Sequence, residues 1–144
     1  MNVSIVTPVH NEQGNISKLL DDLIKLESSL KNFEIIVVDD NSSDKTGLIA
    51  HSYSKKYRNI KVLHRSKGIN GMGAALKEGT KAAKGKYIVW IMGDNSDDTT
   101  TIPKIIEKMK SGYDVVFGSR YMAGGSKGDS NPFKAMLGTG YTFV

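Results

Sequence analysis

The chain has 144 residues, no cysteine, a formal charge of +5 and 39% hydrophobic residues. That length suits one domain with a core of its own, and the lack of cysteine excludes a disulfide framework, a thiolate zinc site and a thiol nucleophile. The longest apolar run, residues 87–92, falls far short of the roughly 20 residues of a membrane helix. Residues 1–4 carry no basic-then-apolar leader, so the expectation is a soluble, cytoplasmic domain over 1–144.

Of the 20 basic residues, 17 are Lys and three are Arg, spread over every segment. Nucleic-acid readers concentrate their charge and use Arg forks, so no nucleic-acid partner is expected. A Lys-rich surface does suit peripheral association with an anionic membrane face.

Apolar runs alternate with amphipathic stretches. Residues 3–7 read as a first strand. Ile16, Leu19, Leu20, Leu23 and Ile24 then recur on one helical face. Residues 34–38 are a near-continuous β-branched run, as in a strand buried on both faces. A second helix is expected over about 44–57, with Asn41, Ser42 and Ser43 as capping side chains and with Tyr53 and Tyr57 on its inner face. A short strand over 60–63 and a helix over about 71–84 follow. Residues 87–92 form a fourth strand with Trp90 in the core. Pro103 opens a helix whose inner face carries Ile102, Ile105, Ile106 and Met109. Val115, Val116 and Phe117 read as a fifth strand. Such alternation defines an α/β fold with a mainly parallel sheet.

Ligands of open parallel sheets bind beyond the carboxyl ends of the strands. The segments there are Pro8-Val9-His10-Asn11-Glu12, Asp39-Asp40-Asn41-Ser42-Ser43-Asp44, Gly93-Asp94-Asn95-Ser96-Asp97-Asp98 and Gly118-Ser119-Arg120-Tyr121. Acidic clusters sharing one rim repel unless a cation lies between them. Carboxylate oxygens suit Mg²⁺ or Mn²⁺, which also bridge phosphate oxygens. Asp44, Asp97 and Asp98 are expected as helix-capping acids; Asp40 and Asp94, nearest the strand ends, are the functional candidates. The glycine cluster at 68–73 lacks the third glycine of a dinucleotide fingerprint and follows the third strand, not the first. His51 and His64 show no acidic or histidine partner at ligand spacing and read as structural.

These segments, in this order from Val3 to Tyr121, resemble the family 2 glycosyltransferases. The likeness is to the branch that transfers sugars to polyprenyl phosphates, dolichyl-phosphate mannosyltransferases among them. The resemblance implies a GT-A fold whose first half binds a nucleotide-diphosphate sugar such as GDP-mannose or a UDP-sugar. Pro8, His10 and Glu12 would border the base and ribose, and Val38 and Asp40 would close the base pocket. Gly93, Asp94 and Ser96 would face the diphosphate, with Asp94 and Ser96 holding the metal and Lys67 flanking the donor. Arg120 matches the family's Ser/Thr-Arg-Tyr element; Asp94 and Arg120 would carry catalysis. Three features depart from the pattern. Met92 replaces the first acid of the Asp-x-Asp motif, His10 replaces the usual aromatic residue, and the acceptor-binding part of the family lies beyond residue 144. The alternatives are a non-catalytic nucleotide-sugar-binding module and a sugar-1-phosphate nucleotidyltransferase. The latter is disfavoured because residues 8–14 lack a Gly-rich, Arg-containing loop.

Overall fold

The computed structural model describes residues 2–66 and 71–119. Four strands, β1 (Val3–Val9), β2 (Phe33–Asp39), β3 (Ile60–His64) and β4 (Tyr87–Trp90), form one sheet in the order β3-β2-β1-β4. All three pairings are parallel. β1 lies in the middle, with Val3 opposite both Phe33 and Tyr87, while Asp39 ends the β2–β3 ladder opposite His64. Parallel neighbours need crossover helices, supplied by α1 (Ile16–Lys25), α2 (Thr46–Lys56) and α3 (Met72–Ala82); α4 (Ile102–Lys110) follows β4.

Every residue of β1 and β2 is buried, because helices cover both faces. On one face Ile5, Ile35 and Val37 pack with Leu19, Leu20, Leu23, Ile102 and Ile106 of α1 and α4. On the other, Val6, Ile36 and Val38 pack with Ala75 and Leu76 of α3. The helix sits close there because Gly79 has no side chain: a Cβ would lie 2.4 Å from Val6 Cγ1 and 2.8 Å from Val38 Cγ2. Tyr53 and Tyr57 are half-buried against the first cluster, as their spacing predicts.

Several expectations are corrected. Residues 115–117 form no strand, and Val115 and Phe117 are 63% and 84% exposed. Their β-branched and aromatic character favours a strand only where a partner and a covering layer exist. β4 ends at Trp90 rather than residue 92, and Trp90 is 59% exposed, its indole N–H donating to Thr80 Oγ1 at 3.0 Å. Among the described strands β4 has a single neighbour, so a side chain there is covered from fewer directions than in β1 or β2. The α2 start is held by Asp44, whose carboxylate accepts from the Thr46 N–H and hydroxyl, whereas Ser42 and Ser43 turn toward Asn11. Among the described residues no helix is long and apolar enough to cross a membrane.

At the amino ends of the strands one buried carboxylate ties three of them together. Glu34 accepts from Ser4 Oγ at 2.8 Å, from the Lys84 N–H at 2.8 Å and from Lys61 Nζ at 2.5 Å. Burial pushes its pKa up, but the hydrogen bonds from Lys61, Lys84 and Ser4 outweigh burial and hold it below the ordinary 4.5. A carboxylate with a depressed folded-state pKa stabilises fully above its unfolded value and loses that contribution as pH falls through the folded one. Glu34→Gln is therefore expected to lower the urea midpoint at pH 7, with the gap to the parent chain closing only below about pH 4.5. A gap that does not change between pH 7 and pH 3 contradicts this role.

Candidate functional site

At the carboxyl edge of the sheet three loops are brought together by asparagines with left-handed backbone. Asn11, Asn41 and Asn95 follow β1, β2 and β4 with φ of 56°, 60° and 60°, a conformation in which Asn is several-fold enriched. Asn11 and Asn41 turn the chain two residues after β1 and β2, and Asn95 turns it within the loop that follows β4. The loops are then hydrogen-bonded to one another. Asn11 Oδ1 accepts from the Ser43 N–H at 2.8 Å, and the Asn11 N–H donates to Ser42 Oγ at 3.0 Å. The Glu12 N–H donates to Thr46 Oγ1 at 2.7 Å, and the Gln13 N–H to Asp44 Oδ2 at 3.1 Å. Asn95 Nδ2 reaches the Asn15 carbonyl at 3.0 Å, which adds the β4 loop to the other two. Burial opposes ionisation of Asp44, but its hydrogen bonds from Thr46 and Gln13 prevail and lower its pKa.

Between these loops and the start of α3 lies a cavity of about 450 Å³ lined by Pro8, Val9, His10, Glu12, Asp40, Gly71, Met72, Met92, Gly93 and Asp94. Six residues expected at the site therefore meet there: Pro8, His10, Glu12, Asp40, Gly93 and Asp94. Gly93 lets the β4 loop pass β1 closely, since a Cβ would lie 2.7 Å from Val9 Cγ1 and 2.8 Å from the Pro8 carbonyl oxygen. His10 Nδ1 donates to the Asp40 carbonyl at 2.8 Å and its Nε2 faces Asn11 Nδ2 at 3.2 Å. A carbonyl only accepts, so the Nδ1-protonated tautomer follows.

Asp40 is 5% exposed and has a partner at each carboxylate oxygen. One oxygen pairs with the Arg65 guanidinium and the other accepts from the Gly71 N–H at 2.5 Å. Arg65, itself 9% exposed, also donates through Nε to Glu78 Oε2 at 3.0 Å. Arg65 thus supplies the positive charge that offsets the burial of Asp40. Asp94, at the other side of the cavity, is exposed and accepts from the Ser96 N–H at 2.9 Å through Oδ1.

The other expected residues lie elsewhere. Val38 is buried beneath the cavity in the α3 cluster and does not line it. Ser96 is exposed beside Asp94 and contributes its backbone to the turn. Lys67, Arg120 and Tyr121, and the glycine loop at 68–70, lie outside the described residues. Asp98 caps the short helical turn before α4, accepting from the Thr100 N–H at 2.9 Å, and the Thr100 hydroxyl and N–H lower its pKa. Asp97 is not a cap: its carboxylate accepts from the Met92 N–H at 2.8 Å, tying the loop to the end of β4.

For a divalent ion the described residues offer little beyond Asp94. No group of three or more His, Cys, Asp or Glu converges among them, and the Met92 thioether is a poor donor to a hard cation. One carboxylate nevertheless fits an ion of the Mg²⁺ or Mn²⁺ kind that arrives with diphosphate oxygens and keeps several waters. Two contributors escaped the sequence reading. Arg65 was only one of three scattered arginines, although its place directly after the third strand could have drawn attention to it. Thr46 carries no signal beyond its nearness to Asp44.

A model of glycosyl transferase family 2 matches residues 4–142. The chain belongs to that family, and its sheet and helices are those of the GT-A glycosyltransferases. A dolichol-phosphate mannosyltransferase of Pyrococcus furiosus is 38% identical over 139 residues, 95% of this chain and 38% of that protein. Residues 1–349 of TarS from S. aureus, in complex with UDP-GlcNAc, superpose with a TM-score of 0.66 at 27% identity, over 77% of this chain and 32% of that one. Glucosyl-3-phosphoglycerate synthase from Mycobacterium tuberculosis, in complex with Mn²⁺, uridine diphosphate and glucosyl-3-phosphoglycerate, gives a TM-score of 0.63 at 25% identity, covering 75% and 39%. The present chain spans well under half the length of each of these three.

The Asp40–Arg65 pair can be tested by a double-mutant cycle. Removing one partner of a buried ion pair leaves an uncompensated charge and costs about 3–5 kcal/mol. Arg65→Ala is expected to fall in that range by urea unfolding, and Asp40→Asn added to it to recover part of the loss. Additive losses from the two substitutions contradict a coupled buried pair.

Proposed function

We propose that this chain is the donor-binding part of an inverting glycosyltransferase that moves a sugar from a nucleotide-diphosphate sugar to a polyprenyl phosphate. The observation that carries this reading is the cavity itself. It has a buried, Arg-paired Asp40 at one side and an exposed Asp94 at the other, at the strand ends where nucleotides bind in open α/β sheets. The polyprenyl acceptor is suggested by the Pyrococcus relative, and the nucleotide donor by the ligands of the two structural relatives.

In this reading Pro8, His10 and Glu12 border the nucleoside, and Asp40, held rigid by Arg65 and the Gly71 N–H, presents a fixed acceptor edge to the base. Asp94 takes the diphosphate end. Asp94, with the Ser96 turn beside it, would hold a divalent ion of the Mg²⁺ or Mn²⁺ kind, whose positive charge would stabilise the leaving diphosphate. Arg120, from its place in the Ser119-Arg120-Tyr121 sequence, adds a second positive group. An oxygen of the acceptor phosphate attacks the anomeric carbon as the bond from that carbon to the diphosphate oxygen breaks on the opposite face. The acceptor is already anionic near neutral pH, so no general base is required. The 17 Lys suit work at the anionic, cytoplasmic face of a membrane, where a polyprenyl phosphate is anchored.

Calorimetric titration with GDP and with UDP, each in Mn²⁺ and then in EDTA, tests this. One nucleotide is expected to bind in Mn²⁺ and to lose at least tenfold in affinity in EDTA, and Asp94→Ala to abolish the metal-dependent part. Failure of both nucleotides to bind, or an Asp94→Ala chain that binds as the parent does, overturns the assignment.

A further inference from the structure

Asp39 is the last residue of β2 and Asp40 follows it, and their side chains lie on opposite sides of the sheet, Asp39 against His64 and Asp40 against Gly71. Asp40 looks into the nucleotide cavity; Asp39 looks under α2, where it starts a chain of three side chains that the nucleotide site does not use. Asp39 is 4% exposed, and its Oδ2 accepts from His64 Nδ1 at 3.0 Å. The other ring nitrogen of His64, Nε2, lies 2.8 Å from Nε2 of His51 on α2. The rings are tilted by 37° with centroids 4.7 Å apart. Both imidazoles reach solvent, while the carboxylate behind them does not. The α2 backbone closes over the carboxylate at Gly47, where a Cβ would lie 2.6 Å from Asp39 Oδ2 and 3.0 Å from His64 Cε1.

Proton positions follow from the partners. The carboxylate accepts, so His64 carries its proton on Nδ1, and its Nε2 lone pair points outward to His51. That is the arrangement in which a carboxylate fixes the tautomer and ring orientation of a metal-ligating histidine. His51 Nε2 faces the same point in space from the opposite side. If His51 moves its proton to Nδ1, two lone pairs converge and no net proton need be released. Zinc–imidazole bonds of about 2.0–2.1 Å in a tetrahedron separate two nitrogens by roughly 3.3 Å. The rings must therefore part by about half an ångström, which the exposed His51 side chain can supply.

We infer that His51 and His64 form a binding site for a borderline divalent transition ion of the Zn²⁺ class, with Asp39 as its positioning residue. Imidazole nitrogens select such ions over Mg²⁺ and Mn²⁺, so the site is chemically distinct from the Asp94 rim. Among the described residues no third His, Cys, Asp or Glu joins the pair, so water completes the coordination and affinity is below that of a closed four-ligand site. A bound ion ties α2 to the end of β3 and raises the unfolding temperature in proportion to its occupancy.

The sequence has three histidines, so their imidazole C–H resonances can be assigned with single variants. Titration with Co²⁺, a paramagnetic stand-in for Zn²⁺, is expected to shift the His51 and His64 signals strongly and to leave His10 unmoved. Zn²⁺ should displace the Co²⁺, and a large excess of Mg²⁺ should not. His51→Ala, a change at an exposed helix position, should weaken binding at least tenfold and remove the rise in unfolding temperature with Zn²⁺. Asp39→Asn should weaken it about tenfold or more, while Asp94→Ala leaves it intact. Co²⁺ binding that is as tight in His51→Ala as in the parent chain, or His51 and His64 signals that stay unmoved at millimolar Co²⁺, overturns the proposal.

Discussion

The fold depends on β1 lying between two parallel neighbours with every one of its side chains buried. A parallel ladder forces each connection to cross over and return to the same end, so the carboxyl ends of β1, β2 and β4 open onto one rim. Burial on both faces leaves little room for polar side chains within β1 and β2, Ser4, Thr7, Glu34 and Asp39 apart, and the polar chemistry is gathered where the strands stop. Asn11 and Asn41 turn the chain two residues beyond β1 and β2, and Asn95 turns it in the loop after β4. The same constraint thus builds the core and places the site.

Charge at the rim is arranged differently on the two sides of the cavity. Asp40 is buried and paired, so desolvation is offset by a guanidinium and a backbone N–H in fixed positions. Asp94 is exposed, and its oxygens can join a solvated ion and phosphate oxygens at little desolvation cost. In the proposed reading, the first carboxylate meets the neutral base edge and the second meets the diphosphate. Asp39, next to Asp40 but on the other side of the sheet, is committed to His64 and to the Ser42 N–H, and so braces the loop after β2 from beneath.

Much of this was legible in the sequence because it is local. The i, i+3, i+4 recurrence of α1, the β-branched run of β2 and the polar segments after each strand all depend on neighbours within a few residues. What was hidden depends on register and layer order. Asp39 meets His64 because β2 and β3 pair in that register, and no spacing along the chain announces it. Arg65 becomes the partner of Asp40 only once β3 lies beside β2. Trp90 is exposed because β4 has one neighbour among the described strands, and Val115 and Phe117 show that strand propensity without a partner does not make a strand. Val38 shares its face of the sheet with Asp40 two residues on, but it lies within the strand under α3 rather than at its end, and so joins the core instead of the cavity wall.

The strand-end cavity is the proposed nucleotide site. A second groove of about 600 Å³, lined by Lys18, Lys25, Ser29, Asn95, Asp98 and Thr100 among others, lies between the end of α1 and the start of α4 and offers a direct contrast. Amide chemical-shift mapping with UDP and GDP in the presence of Mg²⁺ separates the two. The largest shifts are expected on His10, Glu12, Asp40, Gly71, Gly93 and Asp94. Shifts concentrated on Lys18, Lys25, Ser29 and Thr100, with the strand-end cavity silent, would contradict it.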